Sequence, residues 1–451
     1  MPKPSRYNHF QRWSDEHYLA FNARSGAVAL MTEDNYSDYL KIVEQLKSSG
    51  ESTLSDDGKE LLEQLKHGQF MCADDFDEIR SMQFQQNMVR YDTSALGLVI
   101  APTLACNMAC EYCYEPSKQD RMAASVVESI IKCVESQAEG IRHLDITWYG
   151  GEPLLAMDVI EDLTETFLDL AQEHKFEYTA SMISNGYLLT KKNVDRLVEL
   201  KVRTVQVTID GPSRFHNKKR PLKNGQDSFE TILGNIDYAS SRIGIGVRVN
   251  VDQSFSTEIV AELLEELKAR DMQRKVGIYF GQLEPSTSVC ANIAESCYGA
   301  ISFAGAETEY YRLLLENGFR VEKLPSPMAV FCMAQGVNGF VVDPKGNICR
   351  CWNYIGDEQR SMGHISDEIK YDHPNFIQLF DVNPFELAEC RDCSVLPVCM
   401  GGCPDRRTSP DAGKDEMCES WKFNLEPMLE TIAASCMRAR QQAETEKEMQ
   451  S

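Results

Sequence analysis

Three cysteines, Cys106, Cys110 and Cys113, occur within one short segment, CNMACEYC. They follow an apolar run, Leu96–Ile100, and precede a helical pattern. Thiolates this close together can ligate the irons of a [4Fe–4S] cluster, which normally takes four cysteines. Three ligands leave one iron without a protein ligand, and an open metal position is where a substrate can bind. Zinc sites and electron-carrying ferredoxins also use closely spaced cysteines, so the spacing alone leaves these chemistries open.

The same segment resembles the signature of the radical S-adenosylmethionine (SAM) enzymes, CxxxCxxC with an aromatic residue, here Tyr112, before the last cysteine. The resemblance implies that Cys106, Cys110 and Cys113 hold a catalytic cluster whose open iron binds the amino and carboxylate groups of SAM. The reduced cluster of such an enzyme cleaves SAM to methionine and a 5′-deoxyadenosyl radical. The cofactor supplies this chemistry, whereas the protein orients the reactants and excludes water.

A second group of motifs is expected to surround SAM. The turn Tyr149–Pro153 (YGGEP) follows a predicted strand and resembles the GGEP motif of the same family, whose backbone and glutamate hold the SAM amino group. Glycine allows the backbone to approach a ligand closely. With the later positions that the resemblance suggests, the predicted SAM contacts are Tyr112, Gly150, Gly151, Glu152, Pro153, Ser184, Asn185 and Arg220.

Ser184 and Arg220 are predicted to contact different parts of SAM. By resemblance, Ser184 lies near the ribose hydroxyls, and Arg220 matches an arginine that pairs with the SAM carboxylate, a group that suits the guanidinium fork. Asp210 lies at the end of the fourth predicted strand, and the sequence leaves two roles open for it, a ligand contact or a structural cap. The segment Val247–Asn250 departs from a glycine motif that some family members carry on the fifth strand, so contacts from that strand stay unassigned.

The elements that position these motifs are predicted from the alternation of strands and helices. Between Leu96 and Gly318, apolar segments alternate with helical patterns, which indicates a parallel sheet with helices outside it. The strands are predicted at Leu98–Thr103, Leu144–Trp148, Glu177–Ile183, Arg203–Ile209, Ile245–Val251 and Lys275–Phe280. This α/β pattern suits the partial (βα)6 barrel of the radical SAM type, whose chemistry lies at the carboxyl ends of the strands. The cysteine loop and the GGEP turn are both predicted at that end.

Eight of the sixteen cysteines fall between Cys332 and Cys418. Core packing does not readily explain such clustering, although free cysteine buries well. The pattern resembles the SPASM domain, which carries two auxiliary [4Fe–4S] clusters, and a zinc ribbon is the alternative. The resemblance implies that one auxiliary cluster has a full set of ligands, namely Cys390, Cys393, Cys399 and Cys418.

The other auxiliary cluster is one ligand short. By analogy it is held by Cys332, Cys351 and Cys403, but sulfatase-maturing relatives carry a further cysteine where this chain has Asn338. Cys349 is a candidate for the missing ligand, because residues two apart on a strand point to the same side. An open iron that binds the substrate is the alternative. With the SAM-binding cluster, the chain is expected to hold three [4Fe–4S] clusters.

Composition limits the class of protein. The chain has 451 residues, an apolar fraction of 43% and a formal net charge of −23, so we expect a real core and no nucleic-acid partner. Residues 1–15 are polar and no apolar stretch is long enough to span a membrane, so no membrane partner is expected. Sixteen cysteines without a secretion signal favour metal ligation in a reducing cytoplasm over disulfides.

Four segments are predicted along the chain. Residues 1–92 contain a hairpin and three helical patterns, and resemble the winged-helix peptide-recognition element of peptide-modifying enzymes; a plain structural extension is the alternative. Residues 93–324 form the radical SAM partial barrel, residues 325–425 the SPASM domain, and residues 426–451 a charged helical tail.

The leading hypothesis from the sequence is a radical SAM maturase of a ribosomally made precursor peptide. It abstracts a hydrogen from the peptide and installs a thioether, carbon–carbon or carbon–oxygen crosslink, with flavodoxin or ferredoxin as electron donor. A sulfatase-maturing enzyme, which oxidises a cysteine or serine to formylglycine, is the first alternative, with Asn338 and the long amino-terminal module counting against it. A multi-cluster electron-transfer protein is the second, although a pure carrier needs no SAM-binding mouth.

Overall fold

The computed structural model describes residues 1–48, 54–115, 119–285, 288–409, 413 and 416–450. The chain forms two compact units. The core unit contains residues 91–322 and 332–382, and the second unit contains residues 1–90, 323–331 and 383–451. No helix in the described part of the chain combines the length and the hydrophobicity needed to cross a bilayer.

The amino-terminal part of the second unit consists of short antiparallel strands and three helices. Its elements are β1 (Pro2–Pro4), β2 (Asn8–Arg12), β3 (His17–Asn22), β4 (Val28–Thr32), α1 (Glu33–Ser48), α2 (Asp56–His67), β5 (Met71–Ala73) and α3 (Glu78–Arg90). Strands β2, β3 and β4 form one sheet in which Phe21 pairs with Val28, so the predicted hairpin is confirmed. Helix α1 buries Tyr39, Ile42 and Leu46, whose spacing forms one apolar stripe.

The core unit alternates strands and helices. Its first elements are β6 (Ala95–Ile100), α4 (Ala124–Gln137), β7 (His143–Trp148), α5 (Met157–His174), β8 (Glu177–Ser184), α6 (Lys191–Glu199), β9 (Val202–Thr208), α7 (Ser213–Lys219), α8 (Phe229–Ala239), β10 (Gly244–Val251), α9 (Thr257–Lys268), β11 (Gly277–Gln282) and α10 (Ala300–Glu316). Each of the six strands overlaps its predicted segment. Helix α10 was not predicted.

The six strands run parallel and lie side by side in chain order, from β6 to β11. The pairing of Ile100 with Trp148 and of Trp148 with Met182 sets the carboxyl ends of neighbouring strands next to each other. Parallel pairing of consecutive strands requires a crossover connection, which the intervening helices provide. The predicted α/β class with a parallel, barrel-type sheet is therefore confirmed.

Alternate residues of each barrel strand face opposite sides of the sheet. On β10, Val247 and Val249 are fully buried, whereas the intervening Arg248 is half-buried. The apolar side is the side that the helices cover. The opposite side, which we call the inner face, carries polar groups; Thr147 and Ser181, for example, have hydroxyl oxygens 3.1 Å apart.

Residues after α10 continue the same sheet. Strand β12 (Gly339–Val342) pairs in parallel with β6, and β13 (Asn347–Cys349) and β14 (Gly363–His364) follow antiparallel, before α11 (Pro374–Phe380). The first part of the cysteine-rich segment therefore belongs to the core unit. The last helices belong to the second unit and are α12 (Ala388–Arg391), α13 (Leu396–Cys399), α14 (Pro404–Thr408) and α15 (Trp421–Gln450).

Candidate cluster and cofactor site

The predicted cluster cysteines lie in the loop between β6 and α4, at the carboxyl end of the first barrel strand. Backbone hydrogen bonds fix this loop, among them Ala109 N to Pro221 O at 2.9 Å. Burial raises the pKa of Cys106 to about 11 and that of Cys113 to about 12. All three thiols belong to one short segment, and bound iron is what would hold them as thiolates.

The described residues hold no group of three or more His, Cys, Asp or Glu side chains arranged around a single metal ion. An iron–sulfur cluster places each thiolate on its own iron, so it needs the sulfurs further apart than a single ion does. Three neighbouring thiols in one loop have the donor chemistry for such a cluster.

The GGEP turn packs directly against the start of the cysteine loop. Gly151 N donates to Thr103 O at 3.1 Å, and Glu152 N donates to Ala105 O at 2.9 Å. A Cβ at Gly150, where φ is +109°, would lie 2.4 Å from Thr103 O, and one at Gly151 would lie 2.4 Å from Ala105 O. The sequence predicts glycines that let the backbone approach a ligand; in the structure these glycines let it approach the loop that carries the cysteines.

The carboxylate of Glu152 joins the ends of two barrel strands. It is fully buried and accepts hydrogen bonds from Leu154 N at 3.2 Å, Ser184 Oγ at 3.0 Å and Asn185 N at 2.8 Å. Burial raises the pKa of Glu152 to about 7, and these three donors oppose that rise. The structure therefore brings Glu152, Ser184 and Asn185 together. A bound ammonium would offset the cost of keeping this carboxylate charged.

Asn185 connects this group to the cysteine loop. Its Nδ2 donates to Asn107 Oδ1 at 2.7 Å and lies 3.8 Å from Cys106 Sγ. The side chain is buried, so the amide holds a fixed position beside the first cluster ligand.

A buried network joins the loop to the ends of β9 and β10. The Tyr112 hydroxyl donates to Asp210 Oδ2 and accepts from Arg220 Nη1. Asn250 contributes twice, because its Nδ2 donates to Tyr112 Oη at 3.2 Å and its backbone N donates to Asp210 Oδ1 at 3.0 Å. The Arg220 and Asp210 side chains form an ion pair at 3.7 Å. Asp210 therefore holds together two predicted SAM contacts, Tyr112 and Arg220.

The sequence does not assign this role to Asp210, although a buried aspartate just after a parallel strand is a usable signal. His216 supports Asp210, since its Nδ1 accepts from Asp210 N at 3.2 Å and its Nε2 lies 3.2 Å from Ser228 Oγ. Burial lowers the pKa of His216 well below its ordinary value. His216 is therefore a neutral structural group.

Three buried polar atoms around the loop have no hydrogen-bond partner among the described residues: Asn107 Nδ2, Glu115 Oε2 and Arg220 Nε. Buried polar atoms normally have partners, so these three atoms are available to contact a bound ligand. They offer two donors and one acceptor, which complement the carboxylate and the ammonium of an amino acid. The residues present therefore fit SAM beside a cluster.

The carboxy-terminal cysteines fall in both units. Cys332, Cys349 and Cys351 lie in the core unit, within one apolar cluster that also contains Tyr149 and Ala334. Burial raises the pKa of Cys349 to about 12. Cys403, the further predicted ligand of this auxiliary cluster, belongs to the second unit.

The other predicted ligand set lies wholly within the second unit. Burial and charges on Cys393 and Cys418 raise the pKa of Cys390, and burial raises that of Cys399 to about 12, with Cys393 adding to the rise. Arg407 Nη2 is 3.3 Å from Cys390 Sγ, which gives one thiolate a cationic partner. Cys390 and Cys399 lie on α12 and α13, with Cys393 between them in the chain and Cys418 just before α15.

A family model described as the radical SAM superfamily matches residues 100–251, which contain the cysteine loop and the GGEP turn. The probable GTP 3′,8-cyclase of Methanopyrus kandleri is 30% identical over 250 residues, covering 52% of this chain and 75% of that relative. The chain belongs to the radical SAM superfamily. It is therefore a radical SAM enzyme, and SAM and a [4Fe–4S] cluster are its cofactors.

Two further similarities extend across most of the chain. The cysteine-type anaerobic sulfatase-maturating enzyme of Clostridium perfringens strain 13 is 26% identical over 378 residues, covering 75% of this chain and 98% of that relative. The structure of native anSMEcpe with bound AdoMet and the Cp18Cys peptide superposes with a TM-score of 0.55 at 23% identity, covering 78% of this chain and 99% of that one. The second similarity is one of fold.

These similarities correct the leading hypothesis from the sequence. The expected crosslinking maturase of a ribosomally made precursor peptide is wrong, because relatives that align with 70–75% of this chain, among them those of Clostridium perfringens and Klebsiella aerogenes, are sulfatase-maturating enzymes. Asn338 and the long amino-terminal module, which counted against that alternative, do not outweigh these similarities. Asn338 lies at the start of the barrel, with Nδ2 donating to Thr93 O at 3.1 Å. The absence of a cysteine at position 338 was therefore not sufficient to assign the substrate.

Proposed function

We propose that this enzyme oxidises a cysteine or serine side chain of a peptide or protein to formylglycine, as an anaerobic sulfatase-maturating enzyme. The observation that carries the proposal is the match to the Clostridium perfringens relative across nearly all of that protein. The buried network of Glu152, Asp210 and Arg220 around the cysteine loop supports it, since it offers the donors and acceptors that SAM requires.

In this proposal, Cys106, Cys110 and Cys113 hold the cluster that binds SAM. The backbone of the GGEP turn, with Glu152, faces the ammonium. Arg220 Nε, which has no hydrogen-bond partner among the described residues, faces the carboxylate. The cluster and SAM, when bound, supply the radical that removes a hydrogen atom from the β-carbon of the target residue. The chain's own residues orient SAM and keep water from the radical.

The balance of the reaction sets what else the enzyme needs. A serine that becomes formylglycine loses two hydrogens, one as the abstracted atom and the other as a proton with an electron. A cysteine loses the same two hydrogens and then exchanges its sulfur for the oxygen of water, which releases hydrogen sulfide. An electron acceptor is therefore required in both cases, besides a donor such as flavodoxin or ferredoxin that reduces the SAM-binding cluster.

We propose two auxiliary [4Fe–4S] clusters as the acceptors. Cys390, Cys393, Cys399 and Cys418 supply a full ligand set for one of them. In the core unit, Cys332 and Cys351, with Cys349 as a candidate further ligand, supply ligands for the other.

The test is aldehyde formation on a defined peptide. The reconstituted enzyme is incubated without oxygen with SAM, a chemical reductant and a synthetic sulfatase peptide that contains the target cysteine, and the product is treated with a hydrazide. A hydrazone on the target residue, absent with the matched Cys→Ala peptide, is the expected result. A peptide that keeps its mass while SAM is cleaved would refute the proposal.

A further inference from the structure

Arg248 differs in its ion pairing from two other cationic side chains near the carboxyl ends of the barrel strands. Lys219 pairs with Asp252 at 2.7 Å, and Arg220 pairs with Asp210 at 3.7 Å. Arg248 has no carboxylate within ion-pair distance in the part of the chain that the structure describes. A partly buried cation without a counter-ion is costly unless a ligand brings the opposite charge.

The side chain of Arg248 is held in a defined position on the inner face. Its Nε donates to Asn250 Oδ1 at 2.8 Å, and its guanidinium lies 5.9 Å from the centre of the Tyr279 ring. Gly281 provides the space, because a Cβ there would lie 2.5 Å from Nη2. The end of the fork is therefore oriented by protein groups while it keeps donors for a ligand.

Arg248 also lies at the mouth where the reaction is proposed to occur. Asn250, its hydrogen-bond partner, donates to Tyr112 of the cysteine loop. A group bound to Arg248 would thus lie close to the cysteine loop.

We propose that Arg248 binds a carboxylate of the substrate, so that this enzyme prefers peptides with an aspartate or glutamate near the target residue. The inference rests on the proposed oxidation of a peptide, and it names the substrate class further. A guanidinium fork binds a carboxylate through two parallel hydrogen bonds, which fixes both position and orientation. The carboxylate of SAM is the other source of this chemistry.

The experiment uses the reconstituted holoenzyme and paired synthetic peptides. Each peptide has a central cysteine flanked by alanine and glycine residues. In each member of the series, one of the flanking positions carries a glutamate instead. A matched peptide with glutamine at that position is the control. Binding is measured by fluorescence anisotropy of labelled peptides with SAM present, and product by hydrazide trapping. SAM binding is measured separately, from the change in the EPR spectrum of the reduced cluster.

We expect the wild type to prefer one glutamate peptide over its glutamine control by about ten- to a hundred-fold in kcat/KM, mostly through KM, as for a charge-assisted hydrogen bond. Arg248→Gln loses the preference and Arg248→Lys recovers part of it, while both bind SAM as the wild type does. Gly281→Ala, which displaces the guanidinium but keeps its charge, weakens the preference.

If the wild type had the same kcat/KM for the glutamate and the glutamine peptide of every pair, the inference would be overturned. Weaker SAM binding by Arg248→Gln would also overturn it, and would assign Arg248 to the SAM carboxylate. The anisotropy arm separates the two proposals: a glutamate preference that depends on Arg248, without any aldehyde, supports the inference and refutes formylglycine formation.

Discussion

Replacing Asp210 by asparagine is the most informative single change to the site. Asp210 is fully buried, and Arg220, its ion-pair partner, is only 7% exposed. The asparagine keeps the size of the side chain and one acceptor for Asn250 N, but it leaves the Arg220 charge without its counter-ion. Removing one partner of a buried ion pair costs about 3–5 kcal/mol, so we expect the free energy of unfolding of the core unit to fall by that amount.

A matched control is available on the surface of the same unit. Asp237 pairs with Lys275 at 2.7 Å, but the two side chains are 54% and 39% exposed. Asp237→Asn makes the same chemical change, and an exposed pair contributes about 0–1 kcal/mol. Comparing the two variants isolates the effect of burial from the loss of a carboxylate.

The assay is urea unfolding of the apoprotein under reducing conditions. Unfolding is followed by tryptophan fluorescence, which reports on the core unit because Trp148 on β7 is fully buried in the folded state. We expect Asp210→Asn to unfold at clearly lower urea than Asp237→Asn, with an unchanged slope. Equal midpoints for the two variants would refute the role given to the network.

Three further changes test the cluster and its surroundings. Cys106→Ala should abolish SAM cleavage and the EPR change on adding SAM, whereas Cys436→Ala, at an exposed position on α15, should preserve both. Gly151→Ala should disrupt the cysteine loop and lower its iron content, because the new Cβ meets a backbone oxygen at 2.4 Å; Gly234→Ala in α8, where nothing lies within 4 Å, should instead stabilise by about 0.5–1 kcal/mol. Cys399→Ala should remove about a third of the total iron measured by elemental analysis while leaving SAM binding in place, and unchanged iron would contradict the second ligand set.

The fold of the barrel was predictable because its signals are local. Each strand is an apolar, β-branched segment followed by a helical pattern, and parallel pairing follows from that alternation. The cysteine loop could be placed at the functional end for the same reason, since it directly follows the first strand. Helix α10 and strand β12 carry weaker patterns, and β12 is specified by its pairing with β6, which lies far away in sequence.

The connections within the site were less predictable because they join distant residues. Tyr112 meets Asp210 across 98 positions and Arg220 across 108, and no local pattern indicates such pairs. Gly150 and Gly151 were identified, but their contact with the backbone of the cysteine loop is a tertiary property. The substrate was predicted wrongly because cluster motifs report the cofactor, and one fold serves many substrates.

In the proposed reaction, the radical removes a hydrogen from the β-carbon of a cysteine or serine in a peptide. This step can be followed by transfer of a label, with a target residue deuterated at its β-carbon and the reaction run without oxygen. We expect deuterium in the 5′-deoxyadenosine, formed together with an aldehyde on the same residue. Unlabelled 5′-deoxyadenosine alongside a modified peptide would contradict this expectation, because the hydrogen would then come from another position.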